Sequence, residues 1–265
     1  MTQKIKVIEG KNVATVGIVR EMYRNNTFGG IYTREMSISR ESTNQINKFI
    51  SSIEPLVTIY NRIVNKSTLP LPPYEIIQQM HLELIELAAK KGYDLNAEVD
   101  TAMYNRILPA VKGFIVQDNV LPLFLEISDD IIVLKNDYLD ANGKADFIVA
   151  KLSTQMAYFI DVTTAKQWEQ KTKFRQSDHC YLLYDNDEDC EESFLSNEFA
   201  FLKRRYISKS MNDWVEDKSK GVRIDSLIFK KEFLKHKGEW KLFKCNNLHK
   251  DYENEVKELI AFLEQ

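Results

Sequence analysis

Asp146 and Asp161 are the two residues whose type and spacing most directly suggest chemistry. They sit in the stretches GKADFIVA (143–150) and FIDVTTAK (159–166), both dense in β-forming residues. If 145–151 and 156–163 are strands paired as an antiparallel hairpin with its loop near 152–155, both aspartates fall at the same end of the pair and face each other. Two carboxylates held a few ångströms apart repel, and a divalent cation is the usual compensation. Hard oxygen ligands select Mg²⁺ or Mn²⁺. Such an ion polarises a phosphate and activates water for phosphodiester cleavage. A nearby lysine stabilises the negative charge that develops. Asp161 follows Ala157, Tyr158, Phe159 and Ile160, so its charge lies near the buried part of a sheet, where an uncompensated carboxylate is costly. Lys166 opens the helix expected over 164–175, with Lys171 and Lys173 further along it. A cation at a helix N-terminus is mildly unfavourable, which points to a local reason for Lys166.

The two stretches resemble the core of the PD-(D/E)xK nuclease superfamily, which includes many restriction enzymes and repair nucleases. The resemblance implies that Asp146 is the first metal-binding aspartate and Asp161 the acid of the second half-motif. Ala145 stands at the proline position, and Thr163 stands where that motif carries its lysine. Viral cap-snatching endonucleases of this group read Thr-Thr after the acid and take the lysine from the next helix. DVTTAK is similar to that variant, with Lys166 as the lysine. The family often adds an acid from a helix before the sheet. Glu83 is the metal-ligand candidate here, with Glu86 and Glu126 beside it. His81 matches the histidine of the cap-snatching enzymes, but on a regular helix it lies roughly 200° from Glu83, so the two do not face one ion.

The elements that must position these residues follow from pattern. An α/β fold is expected, with a mixed sheet: a restriction-endonuclease-like αβββαβ core, a helical N-terminal region and an α/β C-terminal extension. Residues 1–112 form the N-terminal region packing on the core, and 113–265 the core and its extension. A β-like start (Ile5 to Val19) leads to helices over 42–65, broken at Pro55, then 74–91 and 97–112, the last kinked or ended at Pro109. Strands are expected at 120–127, 130–136, 145–151, 156–163 and 180–184, with a hairpin loop at 137–143. The last third reads as helical at 193–209, mixed at 222–245 and helical at 250–264.

Composition limits the partners. The formal net charge is −3 and the pI about 5.9, so nucleic-acid binding must come from local patches. Lys203, Arg204 and Arg205 form one, and Lys173 and Arg175 another. Along Lys230 to Lys244, lysines alternate with Phe229, Phe233, Trp240 and Phe243. That pattern suits phosphate contact with base stacking, or else a solvated face over an aromatic core. Three cysteines without CxxC spacing exclude a disulfide framework and a cysteine zinc site. The acidic run 185–192 is not an EF-hand, because Cys190 and Ser196 occupy the positions that need glycine and glutamate. Walker A, dinucleotide and G-x-S-x-G patterns are absent. No signal-peptide layout is expected at the N-terminus and no run of roughly 18 apolar residues, so a cytoplasmic protein away from membranes is expected. The functional expectation is a Mg²⁺-dependent endonuclease acting on DNA, of the type II restriction kind and working as a homodimer. The alternatives are a nuclease-like scaffold that binds nucleic acid or protein without catalysis, and an RNA endonuclease if His81 is a ligand.

Overall fold

The computed structural model describes residues 4–9, 34, 36–68, 71–143, 145–163, 180–183, 190–191, 201–202, 204–217 and 220–265. The chain divides into two compact units. One is Gly17–Ile115 with Phe194–Ser196. The other comprises Met1–Val16, Val116–Ser193 and Asn197–Gln265.

The first unit is helical as described. Helix α1 (Arg40–Ser51) begins at Ser39, whose side chain accepts a hydrogen bond from Ser42 N at 3.1 Å. Pro55 separates it from α2 (Leu56–Lys66), as expected from sequence. Helix α3 (Pro73–Lys90) carries proline in its first turn, where the missing N–H has no intrahelical partner to lose. It closes in a Schellman turn. Gly92 adopts φ +76°, Tyr93 N donates to Ala88 O and Gly92 N to Ala89 O, each at 3.0 Å. The buried positions Ile46 and Phe49 in α1, Ile59, Tyr60 and Ile63 in α2, and Ile77, Met80, Leu84 and Ala88 in α3 repeat at helical spacing.

Helix α4 (Ala97–Leu125) starts at Asn96, whose Oδ1 accepts from Val99 N at 2.9 Å. It departs from expectation twice: it runs on past Lys112, and 120–125 of the stretch expected as a strand form its last turns. Short apolar runs do not distinguish a buried strand from a buried helix. Here Val116, Val120 and Phe124 recur at four-residue intervals and are all buried, which is helical packing. By length and composition α4 is apolar enough to cross a membrane, a run concealed by the expected break. Its most apolar stretch is 72% buried within the protein.

The second unit is built on one mixed sheet, in the order β1 (Lys4–Glu9), β9 (Glu239–Lys244), β2 (Ile131–Lys135), β3 (Phe147–Lys151), β4 (Met156–Thr163), β5 (Cys180–Leu183). β8 (Val222–Arg223) pairs with the start of β4, and β6 (Cys190–Glu191) pairs with β7 (Phe201–Leu202) apart from this sheet. β2, β3 and β4 run antiparallel in succession, and β5 is parallel to β4. All five residues of β2 are buried, as in a strand covered on both faces. On one face Val133, Phe147, Val149 and Ile160 pack with the end of α4 and with Ile207, Met211 and Trp214 of α5 (Arg204–Glu216). On the other, Leu134, Ile148 and Phe159 pack with Phe229 and Phe233 of α6 (Leu227–Leu234) and with Val256 and Leu259 of α7 (Tyr252–Leu263). Helix thus covers both faces.

The link between β2 and β3 is not the expected hairpin loop. It is a short helical segment that ends in a π-turn, Leu139–Gly143. Of the described residues within the helix expected over 193–209, residues 201–202 are strand and 204–209 are helix. The helix expected over 164–175 lies outside the described residues.

Candidate functional site

The register of β3 and β4 brings the two aspartates together. Phe147 pairs with Ile160 in the last rung of that ladder, and Asp146 lies just beyond it, close enough to Asp161 for the two charges to repel. Asp146 N donates to Ile160 O at 2.7 Å, one residue out of the ladder's register, so that Asp146 and Phe147 both lie against Ile160 as in a β-bulge. Asp146 Oδ2 accepts from Val162 N at 2.6 Å, which ties its carboxylate to the strand bearing Asp161. Both side chains are buried. Burial is the first cause, and Asp140 and Asp161 the next, that push the Asp146 carboxyl well above its ordinary value, against the pull of Val162 N–H and Lys135.

Sequence reasoning did not assign three further members of this cluster. Asp140 lies in the π-turn after β2. Its carboxyl is pushed up to about 7, chiefly by burial. Lys135 opposes the shift, and Asp137, Asp118 and Asp161 add to it. The residue is half-buried, yet its Oδ2 is wholly covered and meets no hydrogen-bond donor among the described residues. A covered carboxylate oxygen without a donor is a strong unmet demand for a proton or a cation. Lys135 ends β2, and its side chain is only 4% exposed. Its Nζ lies 3.1 Å from Oδ1 of Asp118, whose side chain is 40% exposed. Burial works against the ammonium, but Asp118, Asp140 and Asp146 outweigh it and hold the lysine pKa above its usual value.

Asn136 fixes the turn that carries Asp140. Its Oδ1 accepts from Tyr138 N (2.9 Å) and Leu139 N (3.1 Å), while its Nδ2 donates to Lys237 O (3.1 Å) and Glu239 O (3.3 Å). One buried amide thus anchors the turn to the start of β9. The sequence signal that could have found Asp118 is Gln117-Asp118-Asn119, a polar triplet inside the otherwise apolar stretch 113–125, with Gln117 and Asn119 both buried.

The other expected site residues fall differently. Glu83 belongs to the helical unit, where its carboxylate is engaged by Arg62, which also meets Glu54 at 2.7 Å. Asp118 of α4 belongs to the sheet unit and places an acid on the helix that directly precedes β2. His81 Nε2 lies 3.0 Å from Asp100 Oδ1, and its ring packs edge-on against Tyr104. Asp100 also pairs with Arg34 at 2.7 Å, and Arg34 lies over the Tyr104 ring. Phe229, Phe233 and Trp240 are fully buried, so they form core and not the stacking platform entertained from their alternation with lysines. Lys166, Lys171, Lys173, Arg175 and Lys203 lie outside the described residues. Arg204 and Arg205 open α5, with their side chains outside the description.

Among the described residues, no three His, Cys, Asp or Glu side chains are grouped so as to hold a metal ion by themselves. Mg²⁺ commonly takes one or two carboxylates and completes its shell with water and substrate phosphate. The two carboxylates of Asp146 and Asp161 are compatible with that mode. No family model, curated protein or solved structure matches the chain.

Proposed function

We propose that the sheet unit is a Mg²⁺- or Mn²⁺-dependent endonuclease that hydrolyses phosphodiester bonds in DNA. The observation that carries this is the convergence of Asp146 and Asp161 at one end of neighbouring strands, both buried, beside Asp140, Asp118 and Lys135. The succession α4, β2, β3, β4 and a parallel β5 supports a restriction-endonuclease-like core.

In this reading Asp146 and Asp161 hold the ion, which polarises the scissile phosphate and lowers the pKa of the attacking water. The Val162 N–H orients the Asp146 carboxylate toward its partner, and Asn136 holds Asp140 at the rim. Lys166 is assigned to the developing negative charge. Lys173, Arg175, Lys203, Arg204 and Arg205 are assigned to the DNA backbone. Two copies, each cutting one strand, suit a palindromic target.

Plasmid incubated with Mg²⁺ or Mn²⁺ should give discrete fragments, EDTA should stop the reaction, and Asp146→Asn or Asp161→Asn should lower the rate by at least ~100-fold. An Asp146→Asn protein that still cuts refutes the site. A scaffold that binds without cutting is the second reading. Thr163 at the place of the motif lysine favours it, and DNA binding without fragments under either cation selects it. The RNA reading depended on His81 as a ligand, and His81 is engaged with Asp100.

A further inference from the structure

Lys135 is a cation set among these aspartates, and the two-aspartate site does not require it. Its side chain continues the β2 face of Ile131 and Val133, both core residues, so an apolar side chain would suit the strand. A buried ammonium is disfavoured unless it is paired. Here it is paired with Asp118 at 3.1 Å and lies within the field of Asp140 and Asp146. We propose that Lys135 is the built-in counter-ion of this carboxylate cluster: it holds the aspartates together when no metal is bound, and it opposes a bound dication for the same negative charge. This rests on the reading that Asp146 and Asp161 hold the ion.

The consequence follows from charge. The cluster sets one ammonium against the carboxylates of Asp118, Asp140, Asp146 and Asp161. Removing the ammonium deepens the negative potential felt by a dication, whereas removing Asp118 makes it shallower. Removing both restores the original balance. Lys135 is therefore a positioning and charge-setting residue whose cost to metal affinity keeps the site from closing on a cation before a phosphate arrives. A lysine with a purely structural role does not produce this ordering, because its loss would loosen the cluster and weaken the cation site.

The test is calorimetric titration of Mn²⁺ into the full chain at pH 8 without nucleic acid. Lys135→Met should bind Mn²⁺ at least ~tenfold more tightly than the parent, and Asp118→Asn more weakly by a similar factor. The double variant should return to within ~threefold of the parent, and Lys135→Arg, which keeps the charge, should do the same. Asp118 is 40% exposed, so water replaces its lost partner in Lys135→Met. If that variant does not fold, Lys135→Gln and the double variant give the same comparison. Equal or weaker Mn²⁺ binding by the folded charge-removed variants overturns the counter-ion. If Asp146→Asn and Asp161→Asn titrate like the parent, the cation is not held at this cluster and the reading beneath the proposal fails instead.

Discussion

Asp140, its carboxyl pushed up to about 7, is close to half protonated at neutral pH, whereas in the unfolded chain it keeps its ordinary value. The folded protein therefore holds this proton more tightly than the unfolded one. The stability it contributes is fully present below the ordinary carboxylate range and is lost as pH rises through about 7. Asp146, also raised, acts in the same direction. In the cation-free protein the melting temperature should fall by a few degrees between about pH 5 and pH 8, and Asp140→Asn should flatten that slope. A slope unchanged in Asp140→Asn would show that the carboxyl is not held out of water. Asp130 gives the opposite sign. Burial alone would raise its carboxyl, but the hydroxyls of Ser128 and Ser153 outweigh burial and hold it below its ordinary value. Its stabilisation is present at neutral pH and is lost as pH falls through that depressed value. Asp130→Asn should lower urea stability by about 1–3 kcal/mol at pH 7, with the difference closing in acid.

At the scale of the element, the turn after β2 depends on one side chain. Asn136 satisfies two backbone N–H groups of the turn and two carbonyls before β9, so Asn136→Ala leaves several buried polar groups without partners. It should cost about 2–4 kcal/mol in chemical denaturation and weaken Mn²⁺ binding, because the turn it anchors carries Asp140. Retained Mn²⁺ affinity in a destabilised Asn136→Ala protein would separate Asp140 from the cation. The same elements show what the residues alone could tell. The strands β3 and β4 were legible because unbroken runs of β-formers ended in turn signals, and pairing those runs as a hairpin was enough to bring Asp146 and Asp161 to one end. The end of α4 was not legible. Val120-Leu-Pro-Leu-Phe-Leu125 satisfies a buried strand as well as a buried helix, and Pro122 weighs against helix interior on local grounds that tertiary packing overrode. That one misreading hid Asp118, because a residue placed ahead of a strand is not sought on the helix above the sheet. Lys135 stayed hidden for a related reason: it ends an apolar strand, where a lysine reads as solvated, and only the fold shows it enclosed.

Over the whole molecule, charge decides how a polyphosphate could be bound. The chain carries a formal −3, and the proposed site concentrates four aspartates around one lysine. Without a cation, a phosphodiester approaching that cluster meets repulsion that the basic residues assigned to the backbone must overcome from elsewhere. A dication reverses the local sign and gives the phosphate a direct ligand. Ca²⁺ takes the same hard oxygens but holds a larger, looser shell than Mg²⁺, so it should fill the site without supporting the reaction. Duplex DNA affinity measured at fixed ionic strength should therefore rise by at least ~tenfold when Ca²⁺ replaces EDTA, with no cleavage. The gain should disappear in Asp146→Asn and Asp161→Asn, whereas the salt dependence set by lysine and arginine contacts should persist in both variants. Binding equally tight in EDTA and in Ca²⁺ would mean that basic residues alone hold the backbone and that the acidic cluster takes no part in nucleic-acid recognition. A Ca²⁺ gain surviving in both variants would move the cation to another part of the chain.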